Sequence, residues 1–149
     1  MQFEVFTLFP EVFEPYLGAS ILQRARQRGL VTIHLHNIRD YTTDRHHVCD
    51  DLPYGGGGGM VMKPDPIFTS VEAVLGAPLE CPLVLLSPQG RTFTHKIAEE
   101  LVQHPRLGLL CGRYEGVDER VVTHRVTDEI AIGYFVLSCG ERPARGLIY

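Results

Sequence analysis

Residues 83–90, Leu-Val-Leu-Leu-Ser-Pro-Gln-Gly, run an unbroken aliphatic stretch straight into a turn. Adjacent apolar side chains without alternation are the pattern of a strand covered on both faces, which implies a parallel sheet between helical layers. Proline at 88 suits position i+1 of the turn. Residues 107–116, Leu-Gly-Leu-Leu-Cys-Gly-Arg-Tyr-Glu-Gly, repeat the arrangement. Leu107 to Leu110 reads as a second apolar strand, again ending in a glycine-bearing turn. Glu129 to Ile132 reads as a short third, stopping at Gly133 and followed by a segment that runs to Gly140. In open α/β sheets the carboxyl ends of the strands form the ligand-binding edge, so these turns are the first place to look for a site.

Helical signals fill the gaps between the strands. Pro64-Asp65-Pro66 opens a helix through about Ala77, Thr94 is placed to cap one running through Gln103, and Val117 to His124 reads as a third. Upstream, Phe3 to Phe9 reads as a buried strand, and Pro10 starts a broken helical stretch from Glu11 to Leu17. Ser20 is the expected N-cap of Ile21 to Arg28, with Gly29 as its stop. Leu30 to Ile38 alternates as a half-buried strand does, and Phe135 to Leu137 is expected to add a further short one. Strands alternating with helices give an α/β class with a mostly parallel sheet flanked by helices.

The chain is 149 residues long, 44% hydrophobic and 21% charged, the profile of one globular domain. No apolar run is long enough for a membrane span, and the start Met-Gln-Phe-Glu-Val lacks the basic residues of a signal peptide. The four cysteines are scattered without a CxxC pair, which points to reduced thiols in the cytoplasm. With a net charge of −4 there is no basic stripe, so any contact with a polyanion must be local. Arg24, Arg26, Arg28, Arg39, Arg45, His46, His47, Arg142 and Arg145 are the candidates.

Residues 39–62 form a long polar excursion without periodicity, centred on five consecutive glycines, Gly55 to Gly59. A linker normally continues in serine and charge. This run is clamped by Pro53-Tyr54 and Met60-Val61-Met62, and loops of this length in compact domains are usually functional or disordered. The site chemistry is narrowed by what is missing. There is no GxGxxG after the first strand, no GxxxxGK[ST] and no GxSxG. His46, His47 and Cys49 would be half of a zinc site, but no second ligand pair follows, so no metal is expected. What remains is a site made of backbone at Gly112, Gly116, Gly133 and Gly140, with Leu86, Ile132, Phe135 and Leu137 as apolar walls. Such a site suits an adenine edge and ribose hydroxyls.

Asp-Asp-Leu-Pro-Tyr-Gly-Gly-Gly-Gly-Gly-Met at 50–60, Leu-Ser-Pro-Gln-Gly-Arg at 86–91, Cys-Gly-Arg-Tyr-Glu-Gly-Val-Asp-Glu-Arg-Val at 111–121 and the stretch 132–141 together resemble the bacterial tRNA (guanine-37-N1)-methyltransferases of the SPOUT class. The likeness covers essentially the whole chain. It implies a SPOUT-type α/β trefoil knot, a homodimer, S-adenosylmethionine as cofactor, and the anticodon-loop guanine of a tRNA as target. It places the cofactor at Leu86, Ser87, Pro88, Gly112, Gly116, Ile132, Gly133, Phe135, Leu137, Gly140 and Pro143. It places the substrate at Asp50, Tyr54, Gly55, Gly56, Gly57, Gly58, Gly59, Arg113 and Glu115, with Glu115 in support of catalysis.

Two departures from the family pattern matter. Where the family reads Ile-Gly-Asp-Tyr-Val-Leu-Ser-Gly-Gly-Glu, this chain carries Tyr134, Phe135 and Cys139. Cys139 adds a side chain where bare backbone is expected against the cofactor, so weakened or altered cofactor binding is expected. The family pattern also continues beyond Gly-Glu-x-Pro-Ala into a helical domain that holds its general base and an arginine, whereas this chain ends at Tyr149. Residues 1–149 are accordingly read as the cofactor-binding SPOUT domain. The alternatives are a non-catalytic knotted dimer binding a nucleotide-like ligand or protein partner, and a zinc or redox domain using Cys49, Cys111 and Cys139.

Overall fold

The computed structural model describes residues 1–149. In chain order its elements are β1 (Gln2–Thr7), α1 (Glu14–Leu17), α2 (Ser20–Gln27), β2 (Thr32–Asn37), β3 (Asp50–Asp51), β4 (Val61–Met62), α3 (Pro64–Leu75), β5 (Leu83–Thr92), α4 (His95–Leu101), β6 (Arg106–Cys111), α5 (Glu119–His124), β7 (Asp128–Ala131) and α6 (Glu141–Ile148). Five strands form one sheet in the order β2-β1-β6-β5-β7, and every pairing in it is parallel. The apolar runs of β5 and β6 behave as read. Val84, Leu107 and Leu109 are buried beneath α1, α2, α4 and α6, while Leu85 and Leu110 are buried on the other face beneath α3 and α5. Strands covered on both sides have no solvent face to alternate with.

The path of β5 shapes the whole domain. Ile130 of β7 is paired with Leu86 and again with Arg91. A strand offers two hydrogen-bonding edges, so β5 grips β7 along both, with residues 87–90 passing from one edge to the other. Phe93 extends the second ladder by donating its amide to the Ala131 carbonyl at 2.7 Å. Gly90 makes the crossing: a Cβ there would lie 2.3 Å from the Glu129 carbonyl carbon. Beyond β7 the chain turns back over the strand ends. Gly140 donates its amide to Gly112 at 2.8 Å, and α6 settles against β6 and β1. This enclosure and return thread the α/β trefoil knot, a rare exception to the rule that chains do not pass through their own loops.

Several local expectations are corrected. Ser20 is not the cap of α2; Ala19 is, and Ser20 is the first helical residue, at φ 52°, with no side-chain capping bond. Thr94 does cap α4, accepting from the Ile97 amide at 3.4 Å. Residues 135–137 form no strand, because the sheet edge beside β7 is already occupied by the end of β5. The 39–62 excursion is not wholly irregular: Asp50–Asp51 and Val61–Met62 pair antiparallel and close the glycine run into a hairpin.

Candidate functional site

The carboxyl ends of β5, β6 and β7 open into a cleft of about 180 Å³. Leu86, Ile130, Ile132 and Leu137 supply apolar walls, and Gly112, Gly116 and Gly140 supply bare main chain. Gly140 has no alternative. A Cβ there would meet the Gly112 amide nitrogen at 2.6 Å and the Cys111 Cα at 2.7 Å, so a side chain would push the returning loop off β6. Burial, with the Glu141 carboxylate and Cys139 close by, pushes the Cys111 thiol well above its usual range, so Cys111 is a packing residue.

The third wall is unusual in its hydrogen bonding. None of the amides or carbonyls of residues 132–139 meets a protein partner, and the first main-chain bond after β7 is that of Gly140. Polar backbone of this kind is satisfied by water or by a ligand. Ile132, Gly133, Leu137 and Cys139 are half-buried, so part of this backbone is turned inward at the cleft.

The turn after β6 carries the charged groups. Tyr114 takes φ 59°, a left-handed conformation uncommon outside glycine, and lies between Arg113 and Glu115. Arg113 donates through Nε to both carboxylate oxygens of Glu141, at 3.4 and 3.2 Å, and its guanidinium lies 4.2 Å over the Phe9 ring. Glu141 is 1% exposed and also accepts from the Thr7 hydroxyl at 2.7 Å. The glycine hairpin is zipped to the same turn. Glu115 donates its amide to the Met60 carbonyl at 2.9 Å, and Met62 donates to Gly116 at 2.9 Å. At the start of α5, Asp118 accepts from the Arg120 amide and guanidinium, which holds its carboxyl below the ordinary range.

Residues 1–149 match the family described as tRNA (Guanine-1)-methyltransferase TrmD over their full length. The chain belongs to this family. A tRNA (guanine-N(1)-)-methyltransferase from Dehalococcoides mccartyi (strain 195) is 52% identical over 149 residues, covering 99% of this chain and 60% of the relative. One from Thermomicrobium roseum is 51% identical, covering 99% and 56%. The crystal structure of tRNA (m1G37) methyltransferase from Aquifex aeolicus superposes with a TM-score of 0.89 at 36% identity, covering 99% of this chain and 66% of that one. The chain therefore spans about 60% of the length of such relatives.

The fold brings most of the residues singled out by the family resemblance to one place. Leu86, Ser87, Pro88, Gly112, Gly116, Ile132, Phe135, Leu137, Gly140 and Pro143 all line the cleft. Gly133 does not; the Phe135 ring packs on it, 2.4 Å from where a Cβ would stand. Arg113 and Glu115 reach the cleft edge. Gly59 lies against the Glu115 side chain, at φ 90°. Gly55, Gly56 and Gly58 face open space, and Gly57 has only Pro53 near it. Tyr54 is 88% exposed, with the Arg120 guanidinium 5.8 Å from its ring. Asp50 is engaged in the hairpin opposite Met62. Sequence reasoning gave no role to Tyr114 or Val117 in the lining, nor to Glu141 behind it, whereas Cys139 lines the cleft as expected. Glu141 sits inside a motif that was recognised, but its partner Thr7 is 134 residues away, and no spacing rule connects them.

Proposed function

We propose that residues 1–149 form the methyl-donor-binding domain of a tRNA guanine-N1 methyltransferase acting on guanine 37 of the anticodon loop. On this reading the cleft takes S-adenosylmethionine, the protein works as a homodimer, and it acts in the cytoplasm. The observation that carries the reading is the run of unpartnered main chain at 132–139 around an apolar cleft. An adenine ring fits such a place because its edge needs main-chain donors and acceptors while its faces need apolar contact. Family membership supports the choice of ligand, and no helix is long and apolar enough to cross a membrane.

When bound, the cofactor supplies an electrophilic methyl group on a sulfonium. The protein's residues act by placement. Leu86, Ile132 and Leu137 exclude water from the donor's adenosine, and the 132–139 backbone fixes its orientation. Transfer to N1 of guanine requires loss of the N1 proton and leaves negative charge building on O6, which a cation at the cleft edge stabilises. Arg113 and Glu115 are the charged side chains of this chain at the cleft edge. The family's general base and its catalytic arginine have no counterpart assigned among these residues.

Isothermal titration of the 149-residue protein with S-adenosylmethionine tests the reading. Saturable one-site binding that is lost in Gly140→Val supports it. No heat of binding by a folded protein refutes it.

A further inference from the structure

Glu141 is the one acidic side chain of the domain that is buried at the back of the cleft, and its geometry bears on Arg113. Its carboxylate is 1% exposed, with the Thr7 hydroxyl on one oxygen and Arg113 Nε on both. These three residues end β1, follow β6 and begin α6, so a single buried carboxylate ties the returning helix to two strand ends. Arg113 is thereby fixed at its Nε edge and, through Phe9 at 4.2 Å, across one face. No protein atom accepts from either of its Nη nitrogens, although its side chain is only 25% exposed. A guanidinium held in this way presents the fork geometry suited to a carboxylate or phosphate. Arg39, whose guanidinium lies 5.8 Å from the same Phe9 ring and has no carboxylate partner, adds positive potential on that side.

We propose that Glu141 is a positioning residue, gripping Arg113 by Nε so that its Nη edge meets an anionic oxygen of the ligand in the cleft. The inference rests on the cleft reading above and adds a residue and a ligand chemistry to it. Two ligands carry such an oxygen: the methyl donor, on its amino-acid carboxylate, and the RNA, on its phosphates. A carboxylate that served only to pin α6 would support every ligand of the cleft alike, whereas a positioning residue acts only on the ligand that Arg113 holds.

The experiment compares wild type with Glu141→Gln and Arg113→Lys, checking each by thermal melting. Affinities are measured for S-adenosylhomocysteine, for 5′-methylthioadenosine, which lacks the amino-acid carboxylate, and for an anticodon stem-loop RNA. Both variants are expected to lose about tenfold in affinity for either S-adenosylhomocysteine or the RNA, the scale of one charge-assisted hydrogen bond. Binding of 5′-methylthioadenosine is expected to stay within about twofold. The ligand that weakens names the source of the oxygen. Should Glu141→Gln fail to fold, Arg113→Lys carries the test, since it keeps a cation beside Glu141 and removes only the fork. Unchanged affinity for both charged ligands overturns the proposal, as does an equal loss for all three. A wild-type protein that binds neither nucleoside overturns the cleft reading itself, a result distinct from either.

Discussion

Replacing Gly90 by alanine should damage the crossing at which β5 passes over β7. The new Cβ would stand 2.3 Å from the Glu129 carbonyl carbon, 2.4 Å from its oxygen and 2.4 Å from the Ile130 nitrogen. Ordinary contact begins near 3.4 Å, so the two backbones must part by about 1 Å. Neither side of the contact is a flexible side chain that could swing away. Parting by that much takes the flanking ladder bonds out of range, at about 1 kcal/mol each, and overpacking adds about 1–3 kcal/mol. A total near 3 kcal/mol corresponds to a fall in Tm of roughly 6–12 °C for a domain of this size. Gly58→Ala is the control, because a Cβ there meets nothing within 4 Å and its φ is not in the left-handed region. It should change stability by no more than about 0.5 kcal/mol. Urea denaturation at one fixed protein concentration, followed by circular dichroism, measures both. If Gly90→Ala unfolds within about 0.5 kcal/mol of Gly58→Ala, the strand is not enclosed as described and the account of the crossing fails.

Two further outcomes are expected. Burial alone would raise the pKa of Glu4, but hydrogen bonds from His36, Gln2, His34 and Arg106 outweigh it and hold the carboxyl at about 2 rather than 4.5. A depressed carboxyl stabilises the fold above its unfolded pKa and ceases to as pH falls towards the folded value. Wild type should therefore lose about 3 kcal/mol between pH 5 and pH 2 that Glu4→Gln does not lose, and parallel pH–stability curves for the two proteins would contradict this. Cys139 lines the cleft where the family pattern has glycine. Cys139→Gly should tighten S-adenosylmethionine binding several-fold by calorimetry, and equal or weaker binding would mean that the thiol does not crowd the ligand.

The sheet was legible because its information is local. The apolar runs of β5 and β6 need no partner in view to be read as two-faced strands, and Gly29 at φ 69° ends its helix for a reason carried by one residue. The errors were also local in origin. Ser20 has the right chemistry for a cap, but the chain enters α2 one residue earlier. Phe135 to Leu137 has strand-like composition and no free edge to join. The wrap of β5 around β7 could not be read from the residues alone. Gly90 looks like any turn glycine until Glu129, 39 positions later, is seen lying against it. The thiol at Cys139 was flagged from sequence, whereas the carboxylate at Glu141, two residues on, acquires meaning only from Thr7 and Arg113.

The crossing and the cleft have one cause. Because β5 occupies both edges of β7, the chain leaving β7 has no edge to pair with and must turn back across the strand ends. That return strips residues 132–139 of main-chain partners and presses Gly140 onto Gly112. A chain in an ordinary doubly wound sheet would have satisfied the same polar groups in a further strand. The unpartnered backbone that suits an adenine edge is thus produced by the threading, and the Glu141 carboxylate that begins α6 locks the return against β1 and β6. Loosening the crossing should therefore weaken ligand binding as well as stability, even though Gly90 itself does not line the cleft. Gly90→Ala at a temperature where it remains folded should bind S-adenosylmethionine several-fold more weakly than Gly58→Ala. Wild-type affinity in a destabilised Gly90→Ala would show that the cleft is held by α6 alone.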